Sequence, residues 1–192
     1  VAAKTDTWWG VLDEEHRLAW TFSPFEGVGP LKFGMTHQQA KAAVAVFMES
    51  GIEQGFADNI RLAEFWADPP LGAPFFGPSV TAYYDPSLGL SAIAVNALRG
   101  PQVTFAGMPL VGQVPSVLEG LFIRYLETHE KQLAYSQTGD LCAEHLGLVL
   151  RAQRAGDLVL SRPVMVAEAW ADRCGDVTEG FIPREEWKTF EW

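Results

Sequence analysis

Two short stretches of the chain, Pro30-Leu31-Lys32-Phe33-Gly34 and Pro109-Leu110-Val111-Gly112, align with one gap. Each leads into a segment of helical periodicity, and each helix is followed by two strand-like segments around a turn. A chain that repeats this order has few folds open to it, because neither copy buries its apolar side alone. The expectation is an α+β fold: an antiparallel β-sheet with helices packed on one face, built from two weakly related tandem helix–hairpin halves. At 192 residues this makes a single domain, 1–192. Its first half covers about 24–105 and its second about 106–170, with N- and C-terminal arms packing on it.

Local signals place the elements. Thr36 can cap a helix through its hydroxyl while Gln39 reaches back to the cap's own N–H. Ala40, Ala43, Val44, Phe47 and Met48 follow at helical spacing, with Gly51 as the stop. Residues 52–67 fit a short helix or an irregular strand equally well. Val80 to Tyr84 and Leu90 to Asn96 read as strands around the turn Asp85-Pro86-Ser87-Leu88-Gly89. Val103 to Phe105 adds a short strand. Pro115 suits the first position of a second helix, whose stripe is Val117, Leu118, Leu121, Phe122, Tyr125 and Leu126. Leu146 to Ala152 and Leu158 to Ala167 then form a hairpin. At the N-terminus, strands on either side of Asp13-Glu14-Glu15-His16, or a short helix from near Asp6, are both compatible; a short helix from Pro183 is expected at the other end.

The net charge of −10 argues against nucleic acid and anionic membranes, and favours a basic protein partner. No apolar run approaches the roughly 20 residues that span a bilayer. The N-terminal VAAKTDTWWG lacks the apolar core of a signal peptide, and Cys142 and Cys174 are too few for a disulfide framework, although one bond between them is possible. A reduced, cytoplasmic protein is the expectation.

Phe33-Gly34-Met35-Thr36-His37-Gln38-Gln39 resembles the FGMT signature that opens each half of β-lactamase-inhibitory proteins and occurs in SmpA/OmlA-type lipoprotein domains. With the preceding GVGPLK it also resembles uncharacterised actinobacterial proteins of immunity type. The resemblance covers Glu26 to Val46 and implies a tandem α/β unit with helices on one sheet face and the other face open to a protein partner. In the second half the signature is replaced by Val111-Gly112-Gln113-Val114-Pro115.

Each candidate site also has a structural duty that accounts for its residues. Thr36 and His37 could hold an anion at a helix N-terminus, but turn, core plug and cap account for the stretch. Asp140, Cys142, Glu144 and His145, with His129 and Glu130 nearby, are the closest approach to a nucleophile or metal set; a packing cysteine beside a surface histidine explains them as well. No nucleotide-binding, hydrolase or zinc-protease motif is present, so no cofactor, metal or catalytic residue is assigned. The aromatic pairs Trp8-Trp9, Phe75-Phe76 and Tyr83-Tyr84, with Asp85, are the candidate partner-binding residues, because adjacent strand residues face opposite ways. The leading expectation is a non-catalytic, intracellular protein-binding protein of immunity or inhibitor type. The alternative is a small-molecule or lipid-binding module, or an enzyme, with an aromatic pocket between sheet and helices that could include Tyr84, Asp85 or His145. A homodimer covering a sheet face or edge is the third.

Overall fold

The computed structural model describes residues 10–55, 60–67, 77–136 and 139–174. The first half of the chain contributes β1 (Ala19–Ser23), β2 (Gly27–Val28), β3 (Leu31–Lys32), α1 (His37–Val44), β4 (Glu49–Gly55), β5 (Arg61–Trp66), β6 (Val80–Asp85) and β7 (Gly89–Val95). β8 (Gln102–Phe105) closes the first half, and the second contributes β9 (Met108–Pro109), α2 (Pro115–Thr128), β10 (Ala134–Tyr135), β11 (Leu141–Ala143), β12 (Leu148–Ala155) and β13 (Leu158–Val166). Each helix is therefore followed by a four-stranded antiparallel meander. The inner hairpins, β6–β7 and β12–β13, are the ones that the sequence pattern announces.

The two meanders merge into one sheet in the order β10-β11-β12-β13-β7-β6-β5-β4. Their last strands meet at the centre, where Val164, Met165 and Val166 pair antiparallel with Ala94, Ile93 and Ala92. Ala40 and Val44 of α1 and Leu118, Phe122 and Leu126 of α2 enter one apolar cluster with Phe65, Ala82, Ile93, Leu148 and Met165. Alternate strand residues, among them Leu62, Tyr83, Ala92, Cys142, Val149 and Val164, form a second cluster on the opposite face. Both helices thus lie on one face, and the halves are related by an approximate two-fold rotation about the sheet normal. A smaller sheet, β3-β2-β1-β8-β9, adds Trp20, Phe22, Val28, Leu31, Val103 and Phe105 to the helical side.

The resemblance implied an open second face, but the central strands are covered there too. Ala92, Ala94, Val164 and Val166 are each fully buried. The 3-10 segment Glu168–Cys174 lies over this face, with Trp170 and Cys174 in its cluster.

The approaches to the helices show the duplication in hydrogen-bond detail. Gly34 N–H donates to the Leu90 carbonyl (2.9 Å), and Leu90 N–H donates to the Met35 carbonyl (2.8 Å). In the second half, Gly112 N–H donates to the Ser161 carbonyl (2.9 Å), and Ser161 N–H donates to the Gln113 carbonyl (2.8 Å). Gly34 and Gly112 both have positive φ, 85° and 70°, and each stands two residues before its N-cap. The one-gap alignment of the two stretches matches this geometry.

Other expectations need correction. The capping box forms, with Thr36 Oγ1 accepting from Gln39 N–H and Gln39 Oε1 accepting from Thr36 N–H. Its helix nevertheless ends at Val44, not near Gly51, because β4 begins at Glu49 to pair with Trp66. The ambiguous 52–67 stretch contributes strand residues to β4 and β5. Asp13 to His16 is not a hairpin turn: Glu14–His16 is a 3-10 turn, and β1 pairs with β2 and, in parallel, with β8. The expected helix from Pro183 lies outside the described residues.

Arg17 ties this N-terminal segment to the link between the halves. Its guanidinium donates to the carbonyls of Leu12 (3.1 Å), Ala97 (2.7 Å), Leu98 (3.0 Å) and Gly100 (2.7 Å). Burial lowers its pKa from the ordinary arginine value, with nearby Glu14 opposing the shift. Among the described residues no helix is long and apolar enough to cross a membrane.

Gly89 and Gly107 separate two costs at positive φ. A Cβ on Gly89 (φ 76°) would lie 2.6 Å from the Gly34 carbonyl oxygen, whereas one on Gly107 (φ 79°) would meet nothing within 4 Å. Gly107→Ala is expected to cost about 1–2 kcal/mol, from backbone strain alone. Gly89→Ala is expected to cost about 3 kcal/mol or more, because the approach to α1 must also shift. Urea unfolding of both variants checks this; equal losses would mean that the approach yields freely.

Candidate functional site

A cleft of about 330 Å³ opens where the N-terminus of α1 meets its own meander, lined by Thr36, His37, Arg61, Tyr84, Asp85, Pro86 and Gly89. The sequence places these groups together through register. Arg61 opens β5 and pairs with Tyr84, which pairs with Leu90, the residue bound to the α1 approach. The β6–β7 register shifts between Tyr83 and Tyr84.

His37 is the first residue of α1 and is half-buried. Its ring stacks near Phe65 (6.2 Å between centroids) and meets Tyr84 edge-on (5.6 Å). Its Nδ1 is buried and has no hydrogen-bond partner. A buried polar atom left in that state costs about 1–3 kcal/mol. Asp85 folds the turn below the cleft: its Oδ1 accepts from Ser87 N–H (2.8 Å), Ser87 Oγ (2.7 Å) and Leu88 N–H (3.2 Å). The Ser87 side-chain and backbone hydrogen bonds depress the Asp85 pKa, with smaller help from Leu88 N–H and Arg173.

The second half builds the same cleft again. A smaller cavity of about 100 Å³ is lined by Pro115, Leu118, Glu119, Gly139, Asp140, Leu141, Leu150, Arg151, Ala152 and Ser161. Ser161 takes the place of Leu90 by its bonds to the α2 approach, and its cross-strand partner Ala152 takes the place of Tyr84. Pro115, first in α2, answers to His37. Extending the Leu141–Leu150 pairing by two residues puts Gly139 in the place of Arg61. At these three matched positions the first cleft carries imidazole, guanidinium and phenol where the second carries proline, glycine and alanine; the guanidinium that does line the second cavity, Arg151, is engaged by Asp140.

The other expected sites fare differently. Tyr83 and Tyr84 are 1% and 6% exposed, one in each core cluster, so neither projects a ring from the outer surface as a protein anchor, and what Tyr84 exposes faces the cleft. Their adjacency does place them on opposite faces, but both faces are covered. Asp85 lines the cleft. Trp8, Trp9, Phe75 and Phe76 lie outside the described residues.

Asp140, Cys142, Glu144 and His145 do not converge on a common point; among the described residues the donor atoms that gather are those of Asp13, Glu15 and His16, on an exposed turn. Burial, reinforced by Glu144 and Asp140, pushes the Cys142 thiol up to about 11, the reverse of what an activated thiolate requires. His145 is half-buried with Nε2 unpartnered, and burial followed by Lys131 lowers its pKa. His129 is exposed and uses Nδ1 against the Tyr125 carbonyl, 2.8 Å away. Asp140 instead accepts from Arg151 Nε at 3.3 Å.

Sequence reading missed Arg61, because its contribution depends on β5 being a strand in register with Tyr84. His37 was weighed as an anion ligand, and no local signal tied it to Tyr84. Comparison of the chain with protein-family models, curated proteins and solved structures found no match.

Because the Asp85 pKa is depressed on folding, its contribution to stability is present above the unfolded value near 3.9 and is lost as pH falls through the folded value. Asp85→Asn keeps an acceptor for the turn and removes the titration. Below about pH 4, Tm of the parent protein is expected to fall more steeply than Tm of the variant. Superimposable Tm–pH curves would show that the turn does not depend on the charge.

Proposed function

We propose that the protein is a non-catalytic binding protein whose recognition site is the α1 cleft, taking a small organic acid with a planar apolar part. The observation that carries this reading is the divergence of the twin clefts. Fold requirements act alike on both, yet only the first holds Arg61, His37 and Tyr84. Guanidinium groups bind carboxylates through paired, charge-assisted hydrogen bonds, while Tyr84, His37 and Pro86 offer ring edges and faces to an apolar body. The volume, about 330 Å³, lies at the small end of ligand sites. Among the described residues no nucleophile with an activating base lines it, which supports binding rather than turnover.

The alternative of an immunity-type protein with a basic partner retains the net charge of −10 in its support. Two of its aromatic anchors, Tyr83 and Tyr84, are in the core.

Benzoate is the simplest probe with both features. Titrated into isotope-labelled protein, it is expected to give saturable NMR shifts at Thr36, His37 and Gly89, with Pro115, Gly139 and Ala152 still. Arg61→Gln should weaken binding about tenfold, or about 1.4 kcal/mol. Shifts that are absent, that spread equally to both clefts, or that survive Arg61→Gln unchanged would overturn the proposal.

A further inference from the structure

The segment Glu168–Cys174 packs on β7, β12 and β13 and against the 3-10 turn Glu144–Leu146. Cys174 ends this segment, and Cys142 is the middle residue of β11. Both are buried, both are free thiols, and both belong to the apolar cluster that holds Trp170, Val149 and Val164. The cross-strand partners Cys142, Val149, Val164 and Ala94 run in a row across this face of the sheet. After burial, charge on Cys142 is the next largest influence holding the Cys174 pKa above the ordinary thiol range.

We propose that Cys142 and Cys174 are a disulfide-forming pair that staples the 168–174 segment to β11 across the second face of the sheet. The oxidant is a low-molecular-weight disulfide such as oxidised glutathione. The thiolate of one cysteine attacks it and expels one glutathione thiol; the other cysteine then attacks the mixed disulfide and expels the second. The protein loses two S–H bonds and gains one S–S bond, and two electrons and two protons leave in the two glutathione molecules. Burial disfavours thiolate formation in the folded protein, so the bond is expected to form during folding rather than after it. The ring so closed spans roughly thirty residues, long enough to restrict the unfolded chain appreciably.

The full chain is unfolded, refolded in a glutathione redox buffer, alkylated with iodoacetamide in denaturant and digested without reductant for mass spectrometry. A peptide linking Cys142 to Cys174 is expected, with Tm raised by about 10 °C over the reduced protein. Cys142→Ser and Cys174→Ser should each abolish the linked peptide and the oxidant-dependent rise while keeping the Tm of the reduced parent within a few degrees. Alkylation of both cysteines after oxidative refolding, a glutathione adduct as end product, or a linkage between two molecules would each overturn the pairing. A linked peptide with Tm unchanged would overturn its role as a staple.

Discussion

Three residue pairs between β7 and β13 join the two meanders into one sheet. Each half of the chain makes a meander whose last strand has one unpaired side, and an unpaired strand edge invites association with any other edge. Joining the two last strands removes both liabilities at once and creates a continuous eight-stranded sheet. The side chains of the seam match this duty. Ile93 and Met165 fill the space under the helices, while Ala92 and Ala94 keep the opposite face shallow beside Trp170. The seam also fixes where function can sit. With the helices on one face and a two-fold rotation about the sheet normal, the two helix N-termini fall at opposite ends of the sheet.

A duplicated scaffold supplies its own control. Thr36 caps α1 with its hydroxyl, whereas Val114 at the same place in α2 makes no side-chain cap and Pro115 follows it. Both solutions start a helix, so helix initiation does not explain why His37 stands where Pro115 does. The same holds for Arg61 against Gly139 and for Tyr84 against Ala152, since both meanders form with either set. Residues that a fold does not require are the ones on which a ligand can act.

Much of the architecture was legible where signals were local. The capping box, the turn built by Asp85 and Gly89, and Pro115 at a helix start each depend on residues a few positions apart, and each appears where the pattern put it. The α1 terminus was misplaced because Phe47 and Met48 continue the helical spacing, while pairing of Glu49 with Trp66, a distant partner, decides the backbone there. The cleft was legible only in part. Tyr84 and Asp85 stood out both as exposed partner contacts and, in the alternative reading, as members of a pocket; the exposed role fails for Tyr84 because burial on both sides of a sheet cannot be seen from alternation in one strand. Arg61 became visible only through cross-strand register, which no single segment encodes.

The seam has a consequence for the order in which the protein is made. A ribosome delivers β7 long before β13, so the first half must hold its central edge bare while the rest of the chain emerges. β1 waits for a shorter time, because its parallel neighbour β8 follows β7 directly in the chain. The bare β7 edge therefore waits on the nascent chain, matched to a segment still to come. Crowded synthesis, with many copies at the same stage, sets swapping of second halves between neighbours in direct competition with closure within one chain.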